Sequence, residues 1–509
     1  MFRRIRSYCL FGIKAVPVSV EVDSSQGLPG FTLVGLPDNA VRESRERVVS
    51  AVRSIGKVVT GFRTTVNLSP ADLRKEGSAL DLPLAIGMLV STGEIEVPAL
   101  ERYVFVGELS LDGLLKPVRG VLSIAMNLVA EQNCIFVIPR GNVQEASLVE
   151  GLHFVCAESL GECVEILERN SSQDVNVAKG ISSCCENVRD GIPDFRNVVG
   201  MEGVKRALEV AAAGAHNFLL VGSPGAGKTL CAKCLPGILP EMTEQEILET
   251  TRIHSCARRS GDSDDFKPVM SRPFRSPHHS ASMVSLVGGG ARLLPGEASL
   301  AHNGVLFLDE LPEFNCNVLE ALREPMEEGE ISVSRASGTV VWPARFMMGA
   351  AMNPCPCGYA MDPKRECTCL PEAKKRYREK ISGPLLDRID IQVSVPPVDA
   401  AMFVIKGRSE SSADIRRRVC AARAIQRERF RNLMFKSNAE MTSEYARKFA
   451  AMKPDVERFA VSAATKMNLS ARGYFRLLKV ARTIADLRGE DVVDVMDLAE
   501  ALRYRAFSG

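Results

Sequence analysis

The spacing of apolar and polar positions changes character along the chain. Up to about residue 168, short apolar runs such as VPVSVEVD and YVFVGEL predict strands, and DNAVRESRERVVSAVRSIG has the spacing of an amphipathic helix. From about residue 194 to residue 397, a second block contains the buried-strand runs NFLLVG, GVLFLDE and ARFMMGAAMN. The remaining segments carry helical spacing. The pattern therefore predicts two α/β regions followed by a helical bundle.

A polar segment with little periodicity, ERNSSQDVNVAKGISSCCENVRDGIPD, separates the two α/β blocks. We predict domains over residues 1–166, 194–400 and 401–509, with a linker over residues 167–193. The length agrees with this division, because 509 residues are well beyond the roughly 250–300 at which one hydrophobic core stops growing.

Composition narrows the class of protein. Hydrophobic residues make up 46% and charged residues 25% of the chain, which excludes a wholly disordered protein. Lys and Arg (64) nearly balance Asp and Glu (62), so any affinity for nucleic acid must come from local basic faces. No apolar run reaches the roughly 18–20 residues needed to cross a bilayer, and the 15 cysteines occur without an export signal. We therefore expect a cytoplasmic protein without membrane contact, with reduced thiols or a metal site.

The clearest chemical signal is a glycine-rich segment that follows the apolar run at residues 218–221 and matches G-x-x-x-x-G-K-[ST]. Backbone N–H groups of such a loop bind phosphates, the lysine meets the β/γ oxygens, and the threonine can ligate Mg²⁺. The sequence therefore predicts a site for ATP and Mg²⁺. Its residues are Gly222, Ser223, Pro224, Gly225, Ala226, Gly227, Lys228 and Thr229.

Two downstream segments supply the other polar groups that this chemistry needs. Asp309 and Glu310 end the apolar run VLFL, and a carboxylate pair there predicts that Asp309 holds Mg²⁺ and Glu310 polarises the attacking water. Asn353 ends the apolar run at residues 346–352. It is either a polar sensor between the γ-phosphate and that water or a capping residue.

Two arginines are candidates for contact with the γ-phosphate. Arg388 lies in GPLLDRID, just before a predicted strand, where it could reach a neighbouring subunit's nucleotide as an arginine finger. Arg472, in SARG, begins a helix of the bundle and could fold back onto the γ-phosphate. The alternative for each is a solvated or salt-bridged side chain.

Five motifs occur along the chain in this order: GSPGAGKT, GVLFLDELPEF, MNPCPCG, SGPLLDRID and SARGYFRLLKVARTIADL. In these motifs the chain resembles the magnesium-chelatase-like AAA+ ATPases of the ComM/YifB family, and the resemblance covers essentially its whole length. The resemblance implies a P-loop AAA+ α/β core with a C-terminal helical lid, in a ring-forming, hexameric ATPase of a family that promotes branch migration of DNA in natural transformation. It implies that Lys228 and Thr229 belong to Walker A and that Asp309 and Glu310 belong to Walker B. It further implies that Asn353 is sensor 1, Arg388 the arginine finger and Arg472 sensor 2.

The N-terminal region resembles the Lon-protease-type fold, also called ribosomal S5 domain 2-like, in the segments TVNLSPADLRKEGSALDLPLAIGML, VGELSLDGLLKPVRG and IFVIPRGNVQEA. Active relatives use a Ser–Lys dyad, with the lysine as base. Here Ser78 stands in GSAL, but the region that would supply the lysine is RGVL at residues 119–122. We therefore expect Ser78 to be a turn or cap residue and the domain to be a scaffold or DNA-contacting collar without peptidase activity.

Cys355, Cys357, Cys367 and Cys369 form two C-x-C pairs in a loop after Asn353. Four thiolates can close a tetrahedral Zn²⁺ site, and reduced structural thiols are the alternative. A metal there would stiffen the loop that follows the sensor. His278 and His279 are adjacent in SPHHSAS, so we expect their side chains to diverge rather than share a metal.

The segment at residues 331–346 predicts a hairpin between the Walker B and sensor 1 strands, with a glycine-bearing companion loop at residues 286–299. In related rings such a hairpin points into the channel, so Arg335 near its tip is a candidate for contact with a DNA phosphate. The alternative is a purely structural hairpin.

The leading hypothesis is thus an ATP-driven oligomeric motor on single-stranded or branched DNA. A metal-insertion motor of the magnesium-chelatase type is the second hypothesis, although this chain has no integrin-like domain of its own. An ATP-dependent protease or remodelling chaperone is the third, and the absent Ser–Lys dyad weighs against the protease form.

Overall fold

The structure is a computed structural model that describes residues 1–59, 61–75, 77–131, 133–169, 171–181, 191–258, 266–290, 293–335, 338–397 and 409–505. Helices and strands form three regions along the chain. Their order agrees with the change in apolar spacing. No helix in these ranges is both long and apolar enough to span a membrane.

The first region is a mixed eight-stranded sheet with the order β10-β9-β8-β5-β1-β2-β4-β3. Helices cover both faces, because apolar side chains of successive strand residues point to opposite sides and form two separate buried clusters. The elements are β1 (Phe2–Phe11), β2 (Lys14–Gln26), β3 (Gly30–Val34), α1 (Asn39–Ser54), β4 (Phe62–Ser69), α2 (Asp81–Thr92), β5 (Tyr103–Phe105), β6 (Glu108–Leu109), β7 (Leu115–Lys116), α3 (Val121–Leu128), β8 (Ile135–Pro139), α4 (Val143–Ala146), β9 (His153–Ala157), α5 (Leu160–Arg169) and β10 (Asn176–Val177).

This region extends past residue 166, into the stretch expected to be a linker. The edge strand β10 pairs antiparallel with β9, and Ala178 and Ile181 are buried in the same cluster as α3. A two-residue strand has no periodicity of its own, which is why the polar composition of the segment suggested a linker. Residues 182–190 of the predicted linker lie outside the described residues.

The second region is built on a parallel five-stranded sheet with the order β12-β15-β18-β11-β19. Because its strands are parallel, their carboxyl ends share one edge of the sheet, here called the carboxyl edge, and their amino ends share the opposite amino edge. The elements are α6 (Glu202–Gly214), β11 (Phe218–Gly222), α7 (Lys228–Cys234), α8 (Glu244–Ala257), β12 (Phe274–Arg275), α9 (Met283–Val287), β13 (Gly288–Gly289), β14 (Leu294–Pro295), α10 (Glu297–Leu300), β15 (Val305–Leu308), α11 (Cys316–Glu320), α12 (Arg323–Glu328), β16 (Glu330–Arg335), β17 (Gly338–Pro343), β18 (Met347–Met352), α13 (Pro371–Glu379), α14 (Gly383–Leu386) and β19 (Ile391–Val395).

The third region is helical and shares a core with the second. Apolar residues of α6 and β11 lie in one buried cluster with residues of the C-terminal helices, and the backbone N–H of Gln392 on β19 donates to the carbonyl of Tyr504 over 2.8 Å. The predicted boundary at residues 400 and 401 lies outside the described residues. The helices are α15 (Ser412–Arg429), α16 (Ser443–Phe449), α17 (Pro454–Lys466), α18 (Ala471–Arg488) and α19 (Val495–Arg503).

Helix α8 attaches the first region to the second. Its Arg252 donates to Ser123 Oγ over 2.9 Å and to the carbonyl of Ile13 over 2.8 Å. Ser255 Oγ, also on α8, accepts from the backbone N–H of Gly120 at 2.9 Å and donates to the buried carboxylate of Glu145. Since these polar groups satisfy one another across the boundary, the two regions pack as one unit in the chain.

Candidate active site

The glycine-rich loop begins where β11 ends at the carboxyl edge. A Cβ atom at Gly222 would lie 2.4 Å from the carbonyl oxygen of Val395 on β19, so only glycine allows the two strands to pair so closely here. Gly227 has φ +83°, in the left-handed region that favours glycine. The glycines of the motif are therefore required by the backbone path as well as by phosphate binding.

Lys228 lies at the start of α7 and turns back over the loop. Its Nζ donates to the carbonyls of Gly222 (2.7 Å) and Ser223 (3.0 Å) and to Oδ1 of Asn353 (3.1 Å). Burial lowers the pKa of Lys228 below its usual value. The structure thus brings the predicted Walker A lysine and sensor asparagine into direct contact, from strands β11 and β18 that lie side by side.

Thr229 and Asp309 form the next contact along the carboxyl edge. Thr229 Oγ1 donates to Asp309 Oδ2 over 2.6 Å, and the buried Oγ of Ser223 has no hydrogen-bond partner among the described residues. Hydroxyl and carboxylate oxygens are the ligands that Mg²⁺ prefers, and an unpartnered buried hydroxyl is a group that a ligand can satisfy. This donor set fits a nucleotide with its Mg²⁺.

Glu310 has a partner that the sequence did not indicate. Its Oε2 is 3.3 Å from Nδ1 of His279, and its side chain is 58% exposed. Water can therefore reach this carboxylate. The rings of His279 and His278 lie close together but tilted, with centroids 4.1 Å apart and ring planes at 35°. His279 also meets Phe314 edge-on at 6.5 Å. The expectation that the two histidine side chains diverge was therefore wrong, because the backbone between them folds into a turn rather than an extended strand.

Arg388 stands at the amino edge, three residues before β19 begins. Its guanidinium donates to the carbonyl of Pro384 over 2.7 Å and forms an ion pair with Glu327, and its side chain is only 9% exposed. The P-loop lies at the opposite edge of the sheet, after β11. Arg388 therefore does not reach the P-loop of its own chain.

Arg472 is exposed in the first turn of α18. One turn further along, Arg476 Nε is 3.6 Å from Oδ1 of Asp390, which directly precedes β19 at the amino edge. The sequence suggested that Arg472 folds back onto the γ-phosphate. The structure does not bring it to the P-loop of its own chain, because α18 docks at the amino edge rather than over the nucleotide.

The four cysteines of the C-x-C pairs converge. Their sulfur atoms all lie within 4.8 Å of one another, with Cys355 Sγ 3.4 Å from Cys357 Sγ and 3.6 Å from Cys367 Sγ. A tetrahedral Zn²⁺ with bonds of about 2.3 Å to sulfur needs separations of about 3.8 Å. The backbone N–H of Tyr359 donates to the Cys357 sulfur and lowers the pKa of that thiol. The convergence of the four sulfur atoms fits Zn²⁺.

The cysteine loop also touches the nucleotide loop. A Cβ at Gly358 would lie 2.5 Å from Cδ of Pro224 in the P-loop and 3.9 Å from Cγ of Asn353. The loop that follows Asn353 therefore packs directly on the glycine-rich loop. A change in the conformation of the cysteine loop would therefore displace both Pro224 in the P-loop and Asn353.

The predicted hairpin forms from β16 and β17, with Arg335 paired to Gly338 at its end. Arg335 is exposed. The other face of the hairpin is not free, because Val340 and Trp342 are buried in one cluster with Ile13 from the β1–β2 turn of the first region. The N-terminal region thus lies beside the hairpin, an arrangement that the sequence did not predict.

Ser78 in the first region does not meet a lysine. Its hydroxyl donates to the carboxylate of Glu108. Lys75, three residues earlier, is fully buried, and its Nζ donates to the carbonyl of Pro70. The described contacts therefore tie both side chains to structural partners.

Three family models match the chain: Subunit ChlI of Mg-chelatase over residues 20–142, Magnesium chelatase, subunit ChlI over residues 194–403, and Magnesium chelatase, subunit ChlI C-terminal over residues 409–505. Competence protein ComM of Haemophilus influenzae is 42% identical over 505 residues, which cover 99% of this chain and 97% of that protein. The protein YifB of Escherichia coli is 40% identical over 506 residues, or 99% and 96% of the two chains. The Magnesium-chelatase 38 kDa subunit of Cereibacter sphaeroides is 25% identical over 174 residues, which cover 31% of this chain and 52% of that subunit.

Proposed function

The chain belongs to the ComM/YifB family of magnesium-chelatase-like AAA+ ATPases, and from this premise we propose that it is a ring-forming motor that hydrolyses ATP to move DNA. The observation that carries the ATPase part is the contact of Lys228 with Asn353, beside the contact of Thr229 with Asp309. Phosphoryl transfer depends mainly on positioning and charge. These four side chains supply both at one edge of a parallel sheet.

The residues divide the work by their chemistry. Lys228 and the backbone N–H groups of its loop bind the β- and γ-phosphates, and Thr229 and Asp309 would hold Mg²⁺, which when bound neutralises charge on the phosphates. Glu310 accepts a hydrogen bond from the attacking water and turns it toward the γ-phosphate. Asn353 orients the same water or the γ-phosphate.

A ring explains why the two arginines lie at the amino edge. Arg388 and Arg472 lie at the edge of the sheet opposite to the P-loop of their own chain. If a neighbouring subunit packs its carboxyl edge against this amino edge, both arginines can contact the nucleotide of that neighbour. We infer that each nucleotide site is completed by the next subunit, in a closed ring that is hexameric as in related ATPases. Release of Arg388 from Glu327 and Pro384 is then part of assembly or nucleotide binding.

The DNA part of the proposal rests on the relative named as a competence protein and on the exposed hairpin end. Arg335 would contact the phosphate backbone from the channel, and the first region beside the hairpin would act as a Lon-like collar without peptidase activity. Contacts to phosphates carry no base preference, so binding should weaken steeply with salt. Branch migration of forked or four-way DNA is the activity we expect.

Zinc in the cysteine loop is part of the same proposal. Cys355, Cys357, Cys367 and Cys369 would hold the ion, and the ion would keep Gly358 packed on Pro224. Its role would be structural, because four protein sulfur ligands leave no open position for a substrate.

A second candidate is a metal-insertion motor, which the partial match to a magnesium-chelatase subunit favours. An AAA+ remodelling chaperone is a variant of it, with a protein as the substrate. Both would use the same ATPase site. They differ from the DNA motor in what stimulates turnover.

The deciding experiment measures ATP hydrolysis by the full chain at low salt with Mg²⁺, alone, with single-stranded DNA, and with forked or four-way DNA, while light scattering follows the oligomeric state. We expect a nucleotide-dependent ring, stimulation by DNA and strand movement. If no DNA is bound or moved, while a porphyrin-metallation partner stimulates hydrolysis, the metal-insertion motor is the correct function.

A further inference from the structure

Asn217 is a main neighbour of the backbone segment that carries Arg388. The side-chain Nδ2 of Asn217 donates to the carbonyl of Arg388 over 2.9 Å. Its main-chain carbonyl accepts from the N–H groups of Asp390 at 3.0 Å and Ile391 at 3.1 Å. Three hydrogen bonds from one residue thus fix the segment in which the finger lies.

The other end of the same side chain is tied to the ATPase sheet. Asn217 Oδ1 accepts from the backbone N–H of Met348 on β18 over 2.8 Å, and Asn217 itself directly precedes β11. Both polar atoms of its amide are therefore hydrogen-bonded, one to the segment of Arg388 and one to β18, which directly precedes Asn353. An isosteric acid can keep the acceptor but not the donor.

A second layer supports this arrangement. His216 Nδ1 is 3.1 Å from Oδ2 of Asp390, and its Nε2 is 2.8 Å from Oγ1 of Thr483 on α18. His216 is fully buried. The segment after Arg388 is therefore fastened both to the start of β11 and to the helical region.

We propose that Asn217 is a positioning residue that sets the reach of Arg388 toward the nucleotide of the neighbouring subunit. This inference rests on the proposed role of Arg388 as a finger in trans. A finger works only at a defined distance from the transferring phosphoryl group, and a displacement of about 1 Å can cost about a hundredfold in rate. Loss of the Asn217 hydrogen bond to the Arg388 carbonyl permits such a displacement without touching the P-loop.

The test uses Asn217→Ala, which removes both amide contacts, and Asn217→Asp, which keeps the acceptor for Met348 and loses the donor for Arg388. We expect kcat for ATP hydrolysis to fall about tenfold to a hundredfold in both variants, with the KM for ATP within about twofold of the unaltered chain. Thermal unfolding and light scattering identify a variant that does not fold or assemble, and Asn217→Asp then replaces Asn217→Ala. An unchanged kcat in the folded variant would overturn the proposal.

Mixed rings separate a misplaced finger from a damaged P-loop. An Asn217 variant mixed with Lys228→Ala should recover activity, because the Lys228 variant supplies a good finger to the intact P-loop of its neighbour. Mixed with Arg388→Ala it should recover none, because both partners lack a working finger. Recovery in that second mixture would show that the Asn217 variant has a good finger and a poor P-loop, and the proposal would be wrong.

A mixture of Lys228→Ala with Arg388→Ala tests the underlying assumption that Arg388 acts on the nucleotide of the neighbouring subunit. It should recover activity if fingers act in trans at all. Failure of this pair in rings that demonstrably co-assemble would rule out a finger that acts in trans. Failure of only the mixture of an Asn217 variant with Lys228→Ala would rule out only the role of Asn217.

Discussion

The carboxyl edge and the amino edge of the second sheet differ in how complete they are within one chain. At the carboxyl edge, Lys228 and Thr229 already contact Asn353 and Asp309 over 3.1 and 2.6 Å. At the amino edge, the guanidinium of Arg388 donates to the carbonyl of Pro384 in α14 and is ion-paired with Glu327 in α12. The chemistry of the first edge can thus be described from one subunit, whereas the second edge contributes to a nucleotide site only in the ring that we propose.

The difference also shows in what holds each edge in place. The carboxyl edge depends on backbone conformations that glycine permits and on the packing of the cysteine loop against Pro224. The amino edge depends on side-chain hydrogen bonds to backbone groups, above all from Asn217. Substitutions at the two edges should therefore fail in distinguishable ways.

The largest effect is expected at the carboxyl edge. Lys228→Ala should abolish turnover through loss of ATP binding, since it removes the charge that meets the β- and γ-phosphates. Glu310→Gln should retain ATP binding and lower hydrolysis by at least about a hundredfold, because only water activation is lost. Equilibrium binding of a fluorescent ATP analogue and steady-state hydrolysis separate the two. Normal hydrolysis in both variants would contradict the assignment of the site.

Arg388→Ala tests the amino edge. Its own P-loop stays intact, so we expect normal ATP binding and a loss of turnover of about a thousandfold or more, as in systems that use an arginine finger. Arg472→Ala is the matched variant on α18 and should also lower turnover without lowering binding. A normal rate of ATP hydrolysis in Arg388→Ala would contradict the proposal that the amino edge takes part in catalysis.

Removal of a metal should have an intermediate effect. We expect about one Zn²⁺ per chain by elemental analysis, and Cys369→Ser should lower both the metal content and the melting temperature. Because Gly358 packs on Pro224, the same variant should lower ATP turnover several-fold. Cys316→Ser, at an exposed cysteine outside the cluster, is the control and should change none of these three quantities. A chelator-washed protein without metal and with unchanged stability would leave four ordinary thiols.

The smallest effect on basal hydrolysis is expected for Arg335→Ala, because Arg335 belongs to neither edge of the sheet. Basal turnover should stay within about twofold, while stimulation by DNA and strand movement are lost. A titration of salt should show a shallower dependence of DNA binding on ionic strength in the variant, since one phosphate contact is removed. Full DNA stimulation in Arg335→Ala would leave the hairpin with a structural role.

Parts of the site could be predicted from short segments alone. The G-x-x-x-x-G-K-[ST] motif, the carboxylates after an apolar strand and the asparagine after the next one each follow a buried strand, and parallel strands bring their ends to one edge. The close packing of His278 with His279 and the contact of His279 with Glu310 had no such signal in the sequence. They depend on a turn after the two-residue strand β12, which no periodicity marks.

What the sequence by itself determined is therefore local: the P-loop, the residues at strand ends, the paired cysteines and the change from α/β to helical spacing. What the tertiary structure decided is where distant segments meet: Arg472 at the amino edge rather than over the nucleotide, β10 in the first sheet rather than in a linker, and the hairpin against the β1–β2 turn. The physical reason is that spacing within a segment records which face is buried, but not which partner buries it. That choice is made by the packing of elements far apart in the chain, and so it becomes visible only once they are assembled.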